Sequence, residues 1–418
     1  MPNSKCNFQN EITRQSVKRK AEEDPNVRPG KIICKEIKGH EGYYNMDNFA
    51  ALRMAIYRKK AEERPGPLPT SFEQTLEYMK ALGVYDDDHQ LIVDDDNDIG
   101  MIYNSRVLAS MNNINHVYAD GTFKCAPQFV TQVYTFCVLD NGYYIPSIFF
   151  LLHDKTAKTY KALLDMLFTH FQEKINLQSI TIDFEQGMIS VLKNHFQNIN
   201  VHCCRFHLGQ SWNRQIGKHG LNFAFYNQTQ PLGLWLKSLF NLPGISSAHV
   251  SKFYKQHKEN FDVNTLESTT RVLFTNFLAY LDKYYLGENP VFHPAIWAGL
   301  TFKKDIRYTN NGCEAFHSVL SRRLNPHPNI FEFLEAISEI NTENILKLQS
   351  GKELPKNQFD DKDAEHGDLL EGNIDIACYL KIVSNDKDKM KLPLAYGPIF
   401  QSPISIFHFT YVPKRVKK

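Results

Sequence analysis

The chain has 418 residues, 42% of them hydrophobic, and a formal net charge of +2. That composition excludes a disordered or collagen-like protein and gives core material for one large or two ordinary domains. The near-neutral total excludes a polycation, so a nucleic-acid partner must be met by local patches.

Such patches are present. Residues 1–66 hold 14 Lys/Arg against 9 Asp/Glu, and residues 205–310 hold 12 against 6. Seven Asp crowd Asp86–Asp98. The eight cysteines are scattered at positions 6, 34, 125, 137, 203, 204, 313 and 378. With no apolar leader, they read as reduced thiols of a cytosolic or nuclear protein. No apolar run reaches membrane-spanning length; Ile145–Leu152, broken by Pro146 and Ser147, reads as a buried strand.

In chain order, residues 1–45 read as a basic, flexible tail. Its Lys18-Arg19-Lys20 serves equally as a nuclear-import signal or as a solvated triplet. Residues 46–105 read as a helical region that can touch DNA. One helix runs from Asp47 to Glu63, ended by the Pro65–Pro69 run; a second covers Ser71–Leu82 with Ser71 as N-cap.

Residues 106–206 alternate. His116–Phe123 and Gln132–Asp140 are strand-like, and Asn141-Gly142 signals a hairpin into Tyr143–Leu152. A helix over Thr156–Glu173, capped by Thr156, precedes a strand at Ser179–Asp183. A second helix, Gln186–Phe196, precedes a strand at Asn200–Phe206. The predicted class is therefore α/β: a ribonuclease-H-like core, with a mixed five-stranded sheet and flanking helices. Residues 207–308 lose the β signal and read as an all-α insertion interrupting that core. Residues 309–345 return to the core as helices, and 346–418 read as a linker and a tail without a pattern.

Asp120 lies in one strand and Asp183 ends another. If those strands are neighbours, alternation sets the two carboxylates side by side. Like charges so placed repel, and a divalent cation relieves the conflict. Carboxylate oxygens suit Mg²⁺ or Mn²⁺, and a pair of such ions can drive phosphodiester cleavage. A third acid is needed. Glu314, placed in a first helical turn by Asn310 or Asn311, is the choice; it shares a helix face with His317 and Ser321. Glu185, two residues after Asp183, is its rival, with helix capping as its alternative role.

Four segments then carry a family resemblance: Tyr118-Ala119-Asp120-Gly121-Thr122-Phe123, Thr181-Ile182-Asp183-Phe184-Glu185, Cys203-Cys204-Arg205-Phe206-His207-Leu208-Gly209-Gln210 and Asn310-Asn311-Gly312-Cys313-Glu314-Ala315-Phe316-His317. In this order they resemble the transposase domain of Mutator-like elements (MULE), over roughly residues 45–345. The resemblance implies DDE chemistry, with Asp120, Asp183 and Glu314 as the catalytic, metal-binding acids of a two-metal Mg²⁺ or Mn²⁺ site. It also implies that Cys204 and His207 match the family's Cys-x-x-His motif. They pair either with a zinc ion, alongside Cys203, His202, Cys313 or His317, or serve as a packed thiol and a hydrogen-bonding or DNA-contacting imidazole. Relatives in animals often carry an upstream zinc finger. The first 45 residues here offer only Cys6, Cys34 and His40 toward one.

The expected function is that of a nuclear DNA transposase, cutting at element ends and joining them to target DNA. Its partners are then terminal inverted repeats, target DNA and a second copy of the chain, with no membrane. Arg205, Arg214, Lys303, Lys304, Arg307 and His317 are the candidate DNA contacts. Trp212, Trp235 and Trp297 serve either as base-stacking platforms or as core. A catalytically silent, host-adopted DNA-binding protein is the alternative, and a nuclease acting on RNA a third reading.

Overall fold

A computed structural model describes residues 2–23, 29–39, 44–62, 66–85, 88–109, 114–140, 142–172, 175–227, 229–299 and 310–350. The chain divides into two compact units: Met1–His202 with Thr309–Pro355, and Cys203–Tyr308 with Lys356–Lys418.

The first unit is built on one sheet of β1 (Val84–Tyr85), β2 (His89–Asp94), β3 (Ile99–Asn104), β4 (Ile114–Thr122), β5 (Gln132–Asp140), β6 (Tyr143–Leu152), β7 (Ile175–Ile182) and β8 (Asn200–Cys203). Their order is β1-β2-β3-β6-β5-β4-β7-β8. The pairs from β1 through β4 are antiparallel, and β4 pairs with β7 in parallel. The sheet thus has eight strands rather than five. The three additional strands come from residues 84–104, inside the region expected to be helical.

The acidic run explains the difference. Its second half is the turn joining β2 to β3. The Asp94 carboxylate accepts from the backbone N–H groups of Asp96 and Asn97 at 3.1 and 3.2 Å. Asp98 takes the left-handed conformation, φ 53°. Asp tolerates both tasks well, because its short side chain bonds the backbone of a turn. Meanwhile His89 and Leu91 turn inward at alternate positions of β2.

Helices cover both faces. On one, α4 (Phe72–Leu82), α13 (Asn311–Arg323) and α14 (Ile330–Ser350) bury Phe72, Leu76, Phe316, Leu320 and Phe333 against Val133, Phe149 and Leu151 of the sheet. On the other, α6 (Ala157–Phe171) sets Tyr160 beside Tyr134 and Phe171 beside Tyr103. Next to it packs α7 (Gln186–His195). The caps follow the sequence: Ser71 Oγ accepts from Gln74 N and Thr156 Oγ1 from Thr159 N. Residues 141 and 301–309 lie outside the described residues, so the asparagine of the Asn-Gly hairpin signal does too; Gly142 has φ 78°.

The first 45 residues are not a featureless tail. They carry α1 (Pro2–Glu23) and α2 (Pro29–Ile37), which pack on α3 (Met46–Glu62) through Val17, Ala21, Ile32, Ile33, Leu52 and Ile56. So few apolar positions in a polar stretch leave little periodicity to read. Lys20, last of the basic triplet, is paired with Glu36.

The second unit contains α8 (Arg205–Lys218), α9 (Asn222–Tyr226), α10 (Pro231–Ser238), α11 (Ser247–Glu259) and α12 (Ser268–Leu281). All three tryptophans are core. Trp212 and Trp297 meet edge to face at 5.9 Å, and Trp235 stacks on His257 at 4.7 Å. Each such ring buries about 150–250 Å² and so anchors the core of this helical unit. None of the three is presented for base stacking.

Candidate functional site: an acidic centre at the β4–β7 seam

The parallel seam fixes the first two acids. His116 pairs with Ser179, Val117 with Ile180 and Tyr118 with Thr181, a constant offset of 63 residues. The same offset carried two residues further sets Asp120 opposite Asp183, which directly follows β7. Side chains alternate along a strand, so Asp120 and Asp183 share the face of Tyr118 and Thr181.

Behind the acids on that face, His116 is hydrogen-bonded through both ring nitrogens. His116 bonds Ser179 Oγ through Nδ1 at 2.6 Å and Thr181 Oγ1 through Nε2 at 3.1 Å. Burial, and then the neighbouring His202, push the His116 pKa down to about 3. The imidazole is therefore neutral and acts as a cross-strand brace. Asp120 is buried at 5% exposure, and its carboxylate accepts from the N–H of Gly121 at 2.8 Å.

The third acid arrives on α13. Asn310, the wholly buried residue before that helix, donates its amide to the carbonyl of Ala119 at 3.0 Å. Cys313 donates its thiol to the carbonyl of Tyr118 at 3.6 Å and packs on Tyr118 and Cys137. Gly312 lies against Tyr144 so closely that a Cβ there would stand 2.0 Å from the ring's Cγ. Three consecutive features of the first turn thus dock on β4 and its neighbours. They bring carboxylate oxygens of Glu314 and Asp120 within 4.8 Å of each other. One turn on, His317 Nδ1 stands 3.6 Å from Asp120 Oδ2, with both side chains nearly closed to solvent.

Glu185 faces other work. It is the residue before α7, but its side chain makes no cap hydrogen bond. Instead it accepts from Tyr160 Oη and from Lys155 Nζ, the latter at 3.3 Å. The Tyr160 hydroxyl also lies 3.1 Å from Gln132 Oε1, the alternative acceptor of its single proton. Gln132 in turn leans over Gly121, where a Cβ would strike its amide at 1.6 Å. Beneath lies Tyr134, whose phenol is held protonated by burial first and then by the charges of Glu185, Asp183 and Asp120, with Tyr160 adding to the effect. Burial and Glu185 likewise raise Tyr160.

Two carboxylates this close, one of them buried, repel strongly in a low-dielectric setting. Oxygen donors of this kind form a hard ligand set, which fits Mg²⁺ or Mn²⁺ in preference to softer ions.

Comparison with known proteins bears on this geometry. Residues 116–211 match the family model of the MULE transposase domain. Over this segment the chain is similar to MULE transposase domains. The match runs from within β4 to within α8, so the matched segment includes Asp120, Asp183, Cys204 and His207 and ends before Glu314. Glu314 therefore stands on the docking of α13. No curated protein matches the chain.

Most of the remaining expected site residues belong to the second unit. Within the second unit, Cys204 is buried just before α8, Arg205 is buried and His207 half-buried in its first turn, and Arg214 is exposed. Arg205 at 6% exposure is not a surface phosphate contact. Neither is His317, which turns to Asp120 instead of solvent. Lys303, Lys304 and Arg307 lie outside the described residues. Sequence reasoning missed Asn310 as a buried tether, though it named Asn310 as a cap. It also missed Tyr134, Tyr160 and Lys155, for which no local pattern exists. No described helix is long and apolar enough to cross a membrane.

Proposed function

We propose that the chain is a DDE-type DNA transposase with a ribonuclease-H-like core. The observation that supports this reading is the approach of Glu314 to Asp120, with Asp183 directly following the strand that pairs with that of Asp120. The two strands form a parallel seam, and Glu314 is brought within 4.8 Å of Asp120 by a helix more than 180 residues further along. The strand order β6-β5-β4-β7-β8 supports the core assignment: three antiparallel strands, then strands added beside the first.

In this reading Asp120, Asp183 and Glu314 hold Mg²⁺ or Mn²⁺. The bound cation supplies charge stabilisation of the scissile phosphodiester and lowers the barrier to attack by an oxygen nucleophile. The chain's own residues position that centre. Asp120 is fixed by Gly121 N–H and by His317, and Glu314 by the Asn310 and Cys313 tethers. Glu185 is not a metal ligand; it orients Lys155. DNA is the partner, with Arg214 and the Lys303, Lys304 and Arg307 group binding phosphate, and nuclear residence follows from that partner. Cys204 and His207 retain the family motif at the start of α8.

The test is cleavage of a labelled DNA duplex in Mn²⁺ by the full chain and by its Asp183→Ala variant. Wild-type cutting that requires Mn²⁺ and is lost in the variant is expected. Cutting that survives Asp183→Ala, no cutting at all, or cutting confined to an RNA–DNA hybrid overturns the reading; the second result would mark a silent DNA-binding descendant.

A further inference from the structure

We propose that Phe123 and Lys155 form a clamp for one unpaired DNA nucleotide beside the acidic centre, the base stacking on Phe123 and its phosphate pairing with Lys155. Phe123 follows β4 directly, three residues after Asp120, and 40% of it is exposed. Lys155 Nζ sits 3.7 Å from the centroid of that ring. The lysine belongs to the segment between β6 and α6, and its side chain is 44% exposed.

Both members are tied to the acids by structure already described. Phe123 continues the strand that carries Asp120. Lys155 is bonded to Glu185, two residues beyond Asp183, and Glu185 is itself held by Tyr160. The exposed part of an aromatic ring just past the strand that carries Asp120 gains nothing from folding. A base stacked on it does bury that surface, whatever the base identity, because every base has a π-face. A cation over the ring adds the phosphate partner, and its pre-set position lowers the ordering cost of binding. Glu185 keeps Lys155 oriented, and the lysine side chain, 44% exposed, still has donors to offer a phosphate.

The inference rests on the reading that the acids act on DNA, and it names which part of the strand they receive. A flush duplex offers no base to stack, so the clamp predicts a preference for frayed or overhanging ends.

Fluorescence anisotropy with the full chain, no divalent metal and two labelled DNAs tests this: one blunt duplex, one of equal length with a short 3′ overhang. Phe123→Leu should weaken overhang binding about tenfold, as loss of one stacked base does. It should leave the blunt duplex unchanged, and Phe123→Trp should bind like wild type. Lys155→Gln should weaken both and lower the slope of log affinity against log salt by about one. Equal loss on both DNAs in Phe123→Leu, a Phe123→Trp as weak as Phe123→Leu, no overhang preference in wild type, or tighter binding of the same strand as RNA overturns the clamp. Failure of the catalytic reading looks different: cutting is indifferent to Asp183→Ala while Phe123→Leu still loses the overhang.

Discussion

The buried amide of Asn310 donates to the carbonyl of Ala119 at 3.0 Å, so the residue opening α13 is tied to the residue preceding Asp120. This single bond joins parts of the chain that lie 191 positions apart. It is what makes a carboxylate on a distant helix part of a site defined by a sheet.

Asn310→Ala should therefore do two separable things. Leaving a buried carbonyl without this donor should cost about 1–3 kcal/mol of stability, read as a shift in the urea midpoint. Because Glu314 then keeps only the Cys313 tether to β4, Mn²⁺ affinity should fall by more than that destabilisation explains at temperatures where the variant is folded. Wild-type Mn²⁺ affinity in a folded Asn310→Ala would show that the tether does not position the acid.

Gly312 is required for a packing reason. A Cβ would meet the Cβ and Cγ of Tyr144 at 2.4 and 2.0 Å, the stiff root of that side chain. Gly312→Ala should destabilise by about 1–3 kcal/mol through overpacking. Adding Tyr144→Ala should recover part of the loss in a double-mutant cycle. By contrast, the atom a Cβ at Gly121 would meet first is the end of Gln132, which can swing away, so Gly121→Ala should cost less. Strict additivity of Gly312→Ala and Tyr144→Ala in thermal unfolding would refute the contact.

His116 makes stability pH-dependent. Its folded pKa is pushed down to about 3, against about 6.5 in an unfolded chain. Below pH 6.5 the unfolded state takes up a proton that the folded state refuses. Stability present above pH 6.5 is thus lost as pH falls toward 3, by up to about 1.4 kcal/mol per pH unit. His116→Gln should flatten the urea midpoint between pH 6.5 and 4 relative to wild type. Parallel pH profiles for the two proteins would sink this assignment.

His317 distinguishes two roles with one substitution. As a partner of Asp120 it should act on the metal centre: His317→Ala should lower Mn²⁺ affinity by roughly tenfold or more, the usual cost of losing an outer partner of a ligand. Its affinity for blunt DNA without metal should not change. A variant that binds Mn²⁺ normally and DNA weakly would restore it as a DNA contact.

These residues also show what the sequence could and could not convey. The strand that carries Asp120 and the one that Asp183 follows were legible from their β pattern, while their parallel pairing with an offset of 63 residues is a tertiary fact. Thr156 and Ser71 caps were legible because capping is local. His317 was placed on the face of Glu314, but helix periodicity does not say whether that face meets solvent or Asp120. β1–β3 stayed hidden because the acidic turn after Asp94 dominated the local composition, while the apolar signal of β2 is one short alternation. The α1–α3 core is built from isolated apolar residues in a polar stretch. Asn310 as a tether, and the Lys155–Glu185–Tyr160 chain, depend on tertiary contact and leave no sequence period.

The most direct measurement is a Mn²⁺ titration, followed by electron paramagnetic resonance, of the full chain and of its Asp120→Asn and Glu185→Gln variants. An acidic centre built on Asp120, with Glu185 outside it, predicts that wild type and Glu185→Gln bind Mn²⁺ alike, while Asp120→Asn loses at least about tenfold in affinity. Equal binding by Asp120→Asn and wild type, or a loss in Glu185→Gln as large as that in Asp120→Asn, would contradict it.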